Sequence, residues 1–154
     1  MATPYELQNP NFEEGPVGWT IEQGGFEITE GEGPGYSGQW HALCRPEGHA
    51  IMSNNARIPV APGTSISMQG FISTTRGDDS GRISVRFFDT SGVRIGQIEG
   101  TLVRGTGGYR ASRVTTVVPT GAATATFVFE IYKRTRSFAA ADTASVSYVM
   151  DRTI

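Results

Sequence analysis

Between Ser65 and Thr74 the chain alternates strictly. Ile66, Met68, Gly70 and Ile72 fall on one side, and Ser65, Ser67, Gln69 and Phe71 on the other. Residues 82–89 repeat the pattern, with Ile83, Val85 and Phe87 against Arg82, Ser84, Arg86 and Phe88. A period of two is that of a pleated strand, whose successive side chains point to opposite faces. It predicts strands with one buried and one water-facing side. No window keeps apolar residues at helical spacing over three turns.

The rest of the chain follows the same plan. Strand-like runs cover 19–28 (one or two strands, broken at Gly24-Gly25), 39–45, 51–60, 93–98, 109–118 and 123–133, with a last strand within 144–150. Turn chemistry separates them at Pro46-Glu47-Gly48, Ala61-Pro62-Gly63-Thr64, Thr90-Ser91-Gly92 and Pro119-Thr120-Gly121-Ala122. Residues 30–38 form a Gly/Pro-rich loop. Short strands at this spacing predict an all-β antiparallel sandwich or barrel. With no linker and no repeat, residues 1–154 read as one domain.

Composition narrows the partners. The formal net charge is -2 and the pI about 5.7, with arginines scattered along the chain, so there is no basic field of the kind a nucleic-acid partner needs. No apolar run is long enough to span a bilayer. Cys44 is the single cysteine, which excludes an intrachain disulfide and reads as a small buried residue. The first residues, Met1-Ala2-Thr3-Pro4-Tyr5, carry no export signal. That leaves a cytosolic protein, a protein whose signal has been removed, or a virion protein assembled in a host cytosol.

Several segments, in order, resemble carbohydrate-binding modules with the galactose-binding-like jelly roll. Asn9-Pro10-Asn11-Phe12-Glu13-Glu14-Gly15 followed by Gly18-Trp19-Thr20 is similar to that family's opening strand. Residues 38–43 resemble its "G-x-x-A-L" strand, and Val60-Ala61-Pro62-Gly63-Thr64 its "V-x-PG-T" turn. Residues 85–92 resemble its "V-x-F-x-D-x-x-G" hairpin, and Val118-Pro119-Thr120-Gly121-Ala122 its "x-P-x-GA" turn. The likeness runs over about residues 8–148 and departs at the last strand, where Asp142-Thr143-Ala144-Ser145-Val146-Ser147-Tyr148 matches the family's closing signature only loosely. The resemblance implies a jelly-roll sandwich that binds glycans without catalysis. It also implies a structural Ca²⁺ held by Glu13 and Asp142, against the alternative that Glu13 and Glu14 are solvated charges beside a turn.

Candidate ligand-binding residues follow from the alternation and the loop. Tyr36 and Trp40 flank the Gly-rich loop, where an aromatic face could stack on a sugar ring, while core packing is the alternative for Trp40. Gln69, Phe71, Arg86, Phe88, Glu130 and Tyr132 fall on the outward sides of their strands. This mix of aromatic and planar polar groups suits sugar hydroxyls and equally a protein interface. Trp19, Ile83, Val85, Phe87, Phe127, Phe129 and Ile131 are assigned to the core. A one-residue slip in register would exchange the faces.

Other motifs carry less. Gly33-Pro34-Gly35-Tyr36-Ser37-Gly38 spells G-x-G-x-x-G, but no helix follows to receive a pyrophosphate. Arg76-Gly77-Asp78 reads as turn chemistry, and His41, Cys44 and His49 lack a fourth zinc ligand. No nucleophile elbow, zinc motif or P-loop is present, so the chain reads as not an enzyme. Two settings are expected. One is a virion-associated protein, either a capsid decoration or a host-surface adhesin, whose partners are glycans or virion proteins and which forms a homo-oligomer within an assembly. The other is a carbohydrate-binding module of a secreted polysaccharide-degrading enzyme.

Overall fold

The two strictly alternating runs end in different sheets and pack face to face. The computed structural model describes residues 7–30, 40–74, 78–104, 108–135 and 139–149. Over these residues the strands are β1 (Trp19–Gln23), β2 (Phe26–Thr29), β3 (His41–Cys44), β4 (Gly48–Asn54), β5 (Ile58–Pro59) and β6 (Ser65–Thr74). They continue with β7 (Ser80–Phe88), β8 (Arg94–Glu99), β9 (Val103–Arg104), β10 (Arg110–Val117), β11 (Thr124–Lys133) and β12 (Ala139–Val149). No helix occurs among the described residues.

A seven-stranded sheet runs β1-β4-β11-β7-β8, with β5 added to β11 and β9 to β7. A five-stranded sheet runs β10-β6-β12-β3-β2. Every pairing is antiparallel. The expected antiparallel β-sandwich is therefore the fold. Sequence neighbours seldom pair, because most short connections carry the chain from one sheet to the other, as in a jelly roll.

The inner faces share one core. Ile66, Met68 and Ile72 of β6 oppose Ile83, Val85 and Phe87 of β7 and Phe127, Phe129 and Ile131 of β11. Each of these side chains contributes roughly 1.5–3 kcal/mol on burial. Gly70 interrupts the apolar row of β6 because a Cβ there would stand 2.6 Å from the Phe129 ring. Trp19 is in the core as expected, with its ring 4.7 Å from Phe12 and 5.6 Å from Phe129, centroid to centroid. Cys44 is buried too, and burial pushes its thiol up to about 11.

The N-terminal segment is tied down by Asn9. Its Nδ2 donates to the carbonyls of Gly15 and Val17, each at 2.8 Å, and its Oδ1 accepts from the Glu14 amide. The Trp19 indole N–H donates to the Asn9 carbonyl at 2.9 Å. One side chain thus folds the loop over Phe12 and delivers it to β1.

Three expectations need correction, while the run 19–28 divides at Gly24-Gly25 as expected, into two strands that lie in different sheets. The break falls at Gly24, whose φ is +79° and where a Cβ would lie 2.6 Å from the Ala50 Cα. The run 51–60 divides into β4, which begins at Gly48, and β5. The last strand begins at Ala139, and β9 was not anticipated. Most consequential, the outward side of β7 and β11 is largely closed to water, with Arg82, Thr124 and Tyr132 only part-exposed. Ser84, Arg86, Phe88 and Glu130 point away from the core yet are buried, because polar neighbours on adjacent strands close over them.

Candidate functional site

Register sets the site. Directly opposed residues of antiparallel strands share a face. Across the outer face of the seven-stranded sheet one row runs Arg104 (β9), Ser80 (β7), Tyr132 (β11), His49 (β4). The next row places Arg82 (β7) opposite Glu130 (β11), and the one after places Ser84 between Glu99 (β8) and Val128 (β11). Arg86 lies opposite Gln97 (β8).

Glu130 is the hub. Its Oε2 accepts from His49 Nε2 at 2.9 Å and from the Tyr132 hydroxyl at 2.8 Å. Its Oε1 accepts from Ser84 Oγ and from Gln97 Nε2, both at 3.0 Å. Arg82 stands 3.9 Å away and donates to the Tyr132 oxygen at 2.7 Å, while pairing with Glu99. Gln97 passes the network to Arg86, which forms an ion pair with Glu22 at 2.6 Å. Burial opposes the charge on Glu130, but the bonds from Tyr132, His49 and Ser84 and the charge of Arg82 outweigh it, holding the carboxyl below its ordinary range. The same contacts act in reverse on Tyr132. Burial and the neighbouring carboxylate push its phenol up to about 12.

The result is a set of side chains fixed in orientation from below. His49 stacks on Tyr132 with ring centroids 4.2 Å apart, and Arg82 lies over the Tyr132 ring at 5.3 Å. At the β9 end, a cleft of about 390 Å³ opens beside Tyr132, lined also by Ser80, Arg104 and Arg134. Beneath it Lys133 and Asp79 form a fully buried ion pair at 2.8 Å. Asp79 also accepts from the amides of Arg134 and Thr135 and from the Thr135 hydroxyl. Burial opposes ionisation of Asp79; these donors, led by Lys133, keep it below the usual carboxylate range.

Of the residues expected from sequence, Arg86, Phe88, Glu130 and Tyr132 come together on this face. Phe88 is not an open stacking platform, because the Arg57 guanidinium covers its ring at 3.6 Å. Gln69 belongs to the other sheet's outer face, bonded to Arg113 in a separate groove with Ser67 and Thr115, and Phe71 is on its strand. Trp40 is half-buried and packs on the core beside Gly15. Tyr36 lies outside the described residues. His49, Arg82, Ser84, Gln97 and Glu99 were missed. The alternation marked Arg82 and Ser84 as outward, but only the pairing shows that they converge on Glu130.

Glu13 is exposed, with Oε2 accepting from the Trp40 amide at 2.8 Å, and Asp142 is fully buried at the β12 bulge. Among the described residues no three His, Cys, Asp or Glu side chains gather where they could hold a metal ion. Calcium takes six to eight oxygens, so a site at Glu13 and Asp142 would need backbone carbonyls to complete it. The Pro10 carbonyl, at this bulge, accepts from the Ala144 amide at 2.8 Å.

No protein-family model and no curated protein sequence matches the chain. Solved structures do. The tailspike protein 4 enzymatically active domain of Bacteriophage CBA120 aligns with a TM-score of 0.72 at 16% identity, over 96% of this chain and 22% of that one. This chain thus spans about a fifth of the tailspike chain. A family 16 carbohydrate-binding module aligns at 0.68 and 14% identity, over 92% of this chain and 98% of the module. The CBM22-2 xylan-binding domain from Paenibacillus barcinonensis Xyn10C aligns at 0.62 and 13% identity, over 91% and 98%. At these identities the likeness is one of fold. The chain has the jelly-roll sandwich of carbohydrate-binding modules.

Proposed function

We propose that this chain is a non-catalytic glycan-binding module whose ligand lies across the outer face of the seven-stranded sheet. The observation that carries the reading is the Glu130 hub. One buried carboxylate orients His49, Tyr132, Ser84 and Gln97, on a fold built like sugar-binding modules. Pre-oriented planar groups can exchange hydrogen bonds with sugar hydroxyls without first losing side-chain freedom. Recognition here is chiefly by hydrogen bonds, since the Phe88 and Tyr132 rings are already covered by Arg57, Arg82 and His49.

The setting we propose is a virion, as a capsid decoration or a host-surface adhesin; the tailspike likeness over nearly the whole chain supports it. The second reading, a module of a secreted polysaccharide-degrading enzyme, draws on the likeness to the xylan-binding domain. Calcium bound through Glu13 and Asp142 belongs to the same proposal. It is expected to raise the melting temperature at millimolar calcium, and an unchanged melting curve would remove both as ligands.

The test is a glycan array with the purified chain and Tyr132→Ala, which removes a ring from the row that runs from Arg104 to His49. Selective binding that the variant loses supports the reading. Binding by neither protein would move the search to protein partners. Co-sedimentation with capsid and tail proteins separates the two settings, and capture by neither favours the enzyme module.

A further inference from the structure

Cations on this face are matched almost everywhere. Arg82 is held by Glu99 and Tyr132, Arg86 by Glu22 and Gln97, and Arg57 lies on Phe88. The cleft at the β9 end differs. Lys133 is committed to Asp79 beneath the floor. Both Asp79 oxygens are occupied by Lys133, by two amides and by the Thr135 hydroxyl, so Asp79 does not reach the Arg134 guanidinium. Arg104 and Arg134 are both exposed, and no ion pair or side-chain hydrogen bond engages either guanidinium among the described residues. Asp78, also exposed at the cleft, is a single carboxylate facing two arginines.

We propose that the glycan recognised here is acidic, and that Arg104 and Arg134 bind its carboxylate or sulfate group. The inference rests on the glycan-binding reading and names the class of sugar. Two guanidiniums with unused N–H donors match a planar or tetrahedral oxyanion, to which an arginine fork can bond in bidentate fashion. Arg104 heads the row that continues through Ser80 and Tyr132 to His49. An anionic group seated at the cleft would therefore lay the rest of a short oligosaccharide along that row. Asp78 then serves as an acceptor for a neighbouring hydroxyl.

The experiment measures binding of the full chain to three polysaccharides by calorimetry. One bears uronic acid carboxylates, one bears sulfate esters, and one is neutral with the same kind of backbone. The double variant Arg104→Gln/Arg134→Gln is measured beside Arg113→Gln, an arginine of the opposite sheet. Melting curves check that both variants fold. The expected result is binding to an acidic polymer that weakens with added salt, falls at least tenfold in the double variant and is unchanged in Arg113→Gln. The polymer that binds identifies carboxylate or sulfate as the group. Equal loss in Arg113→Gln, or preference for the neutral polymer with no effect of the double variant, overturns the acidic assignment; the latter leaves the glycan reading standing. Binding to none of the three, together with an empty glycan array, overturns both.

Discussion

Glu130 is a carboxylate kept ionised in a place where burial alone would raise its pKa. Its folded pKa lies below the ordinary value, as do those of Asp79 and Glu22. The unfolded chain therefore binds more protons in acid than the folded one. This contribution to stability is fully present above the ordinary carboxylate value of about 4.3 and is lost as pH falls through the lower folded values. Glu130→Gln should cost about 1–3 kcal/mol at neutral pH by leaving donors unmatched. The gap to the wild type should narrow near pH 3, on the order of a unit below that ordinary value. Urea titrations at the two pH values check this, and a gap that stays constant would contradict it. Asp79→Ala should be harsher, about 3–5 kcal/mol, because it strands the Lys133 charge in the interior. Replacing both partners with apolar residues should recover much of that loss, read by the same titration.

Among the elements, β6 and β11 show how closely the two sheets approach. Gly70 of β6 stands where the Phe129 ring of β11 leaves no space for a methyl group. Gly70→Ala should destabilise by roughly 1–3 kcal/mol through overpacking. Combining it with Phe129→Leu should cost less than the sum, since the two share one volume. Thermal melts of the three variants measure the coupling; full additivity would mean that the sheets can separate slightly at no cost. At the β1–β2 junction the constraint is of the backbone. Gly24 combines a left-handed φ with an Ala50 Cα 2.6 Å from where its Cβ would be, so Gly24→Ala should impair the crossing between sheets and lower the yield of folded protein.

For the molecule as a whole, one continuous core joins both sheets. Trp19 sits inside it, against Phe12, Phe127 and Phe129. Loss of the tertiary signal from Trp19 and loss of strand content should therefore coincide in a single transition. Fluorescence and far-ultraviolet circular dichroism followed in one titration test this, and separated midpoints would show that one sheet can outlive the other. The division of labour between the outer faces is also a property of the whole. The seven-stranded sheet carries the Glu130 network, whereas Gln69 and Arg113 form an independent groove behind it.

The sequence by itself determined the class of fold. The alternation in Ser65–Thr74 and around Ile83, Val85 and Phe87 named the core residues correctly, because burial of one strand face is written locally at a period of two. The segment from Asn9 to Thr20 resembles an opening strand, but it folds into turns held by Asn9 and the strand starts only at Trp19, because those bonds close a loop over Phe12. Tertiary structure alone decided the site. Glu130 gathers donors from 46 and 81 positions away, Ser84 and His49, and only strand order makes them neighbours. It also decided that Gln69 stands behind the sandwich, and that the outward side of β7 is largely buried under its own polar partners. Alternation tells which way a side chain points. Only pairing tells what it meets there, and long-range pairing leaves no mark at a fixed spacing in the chain.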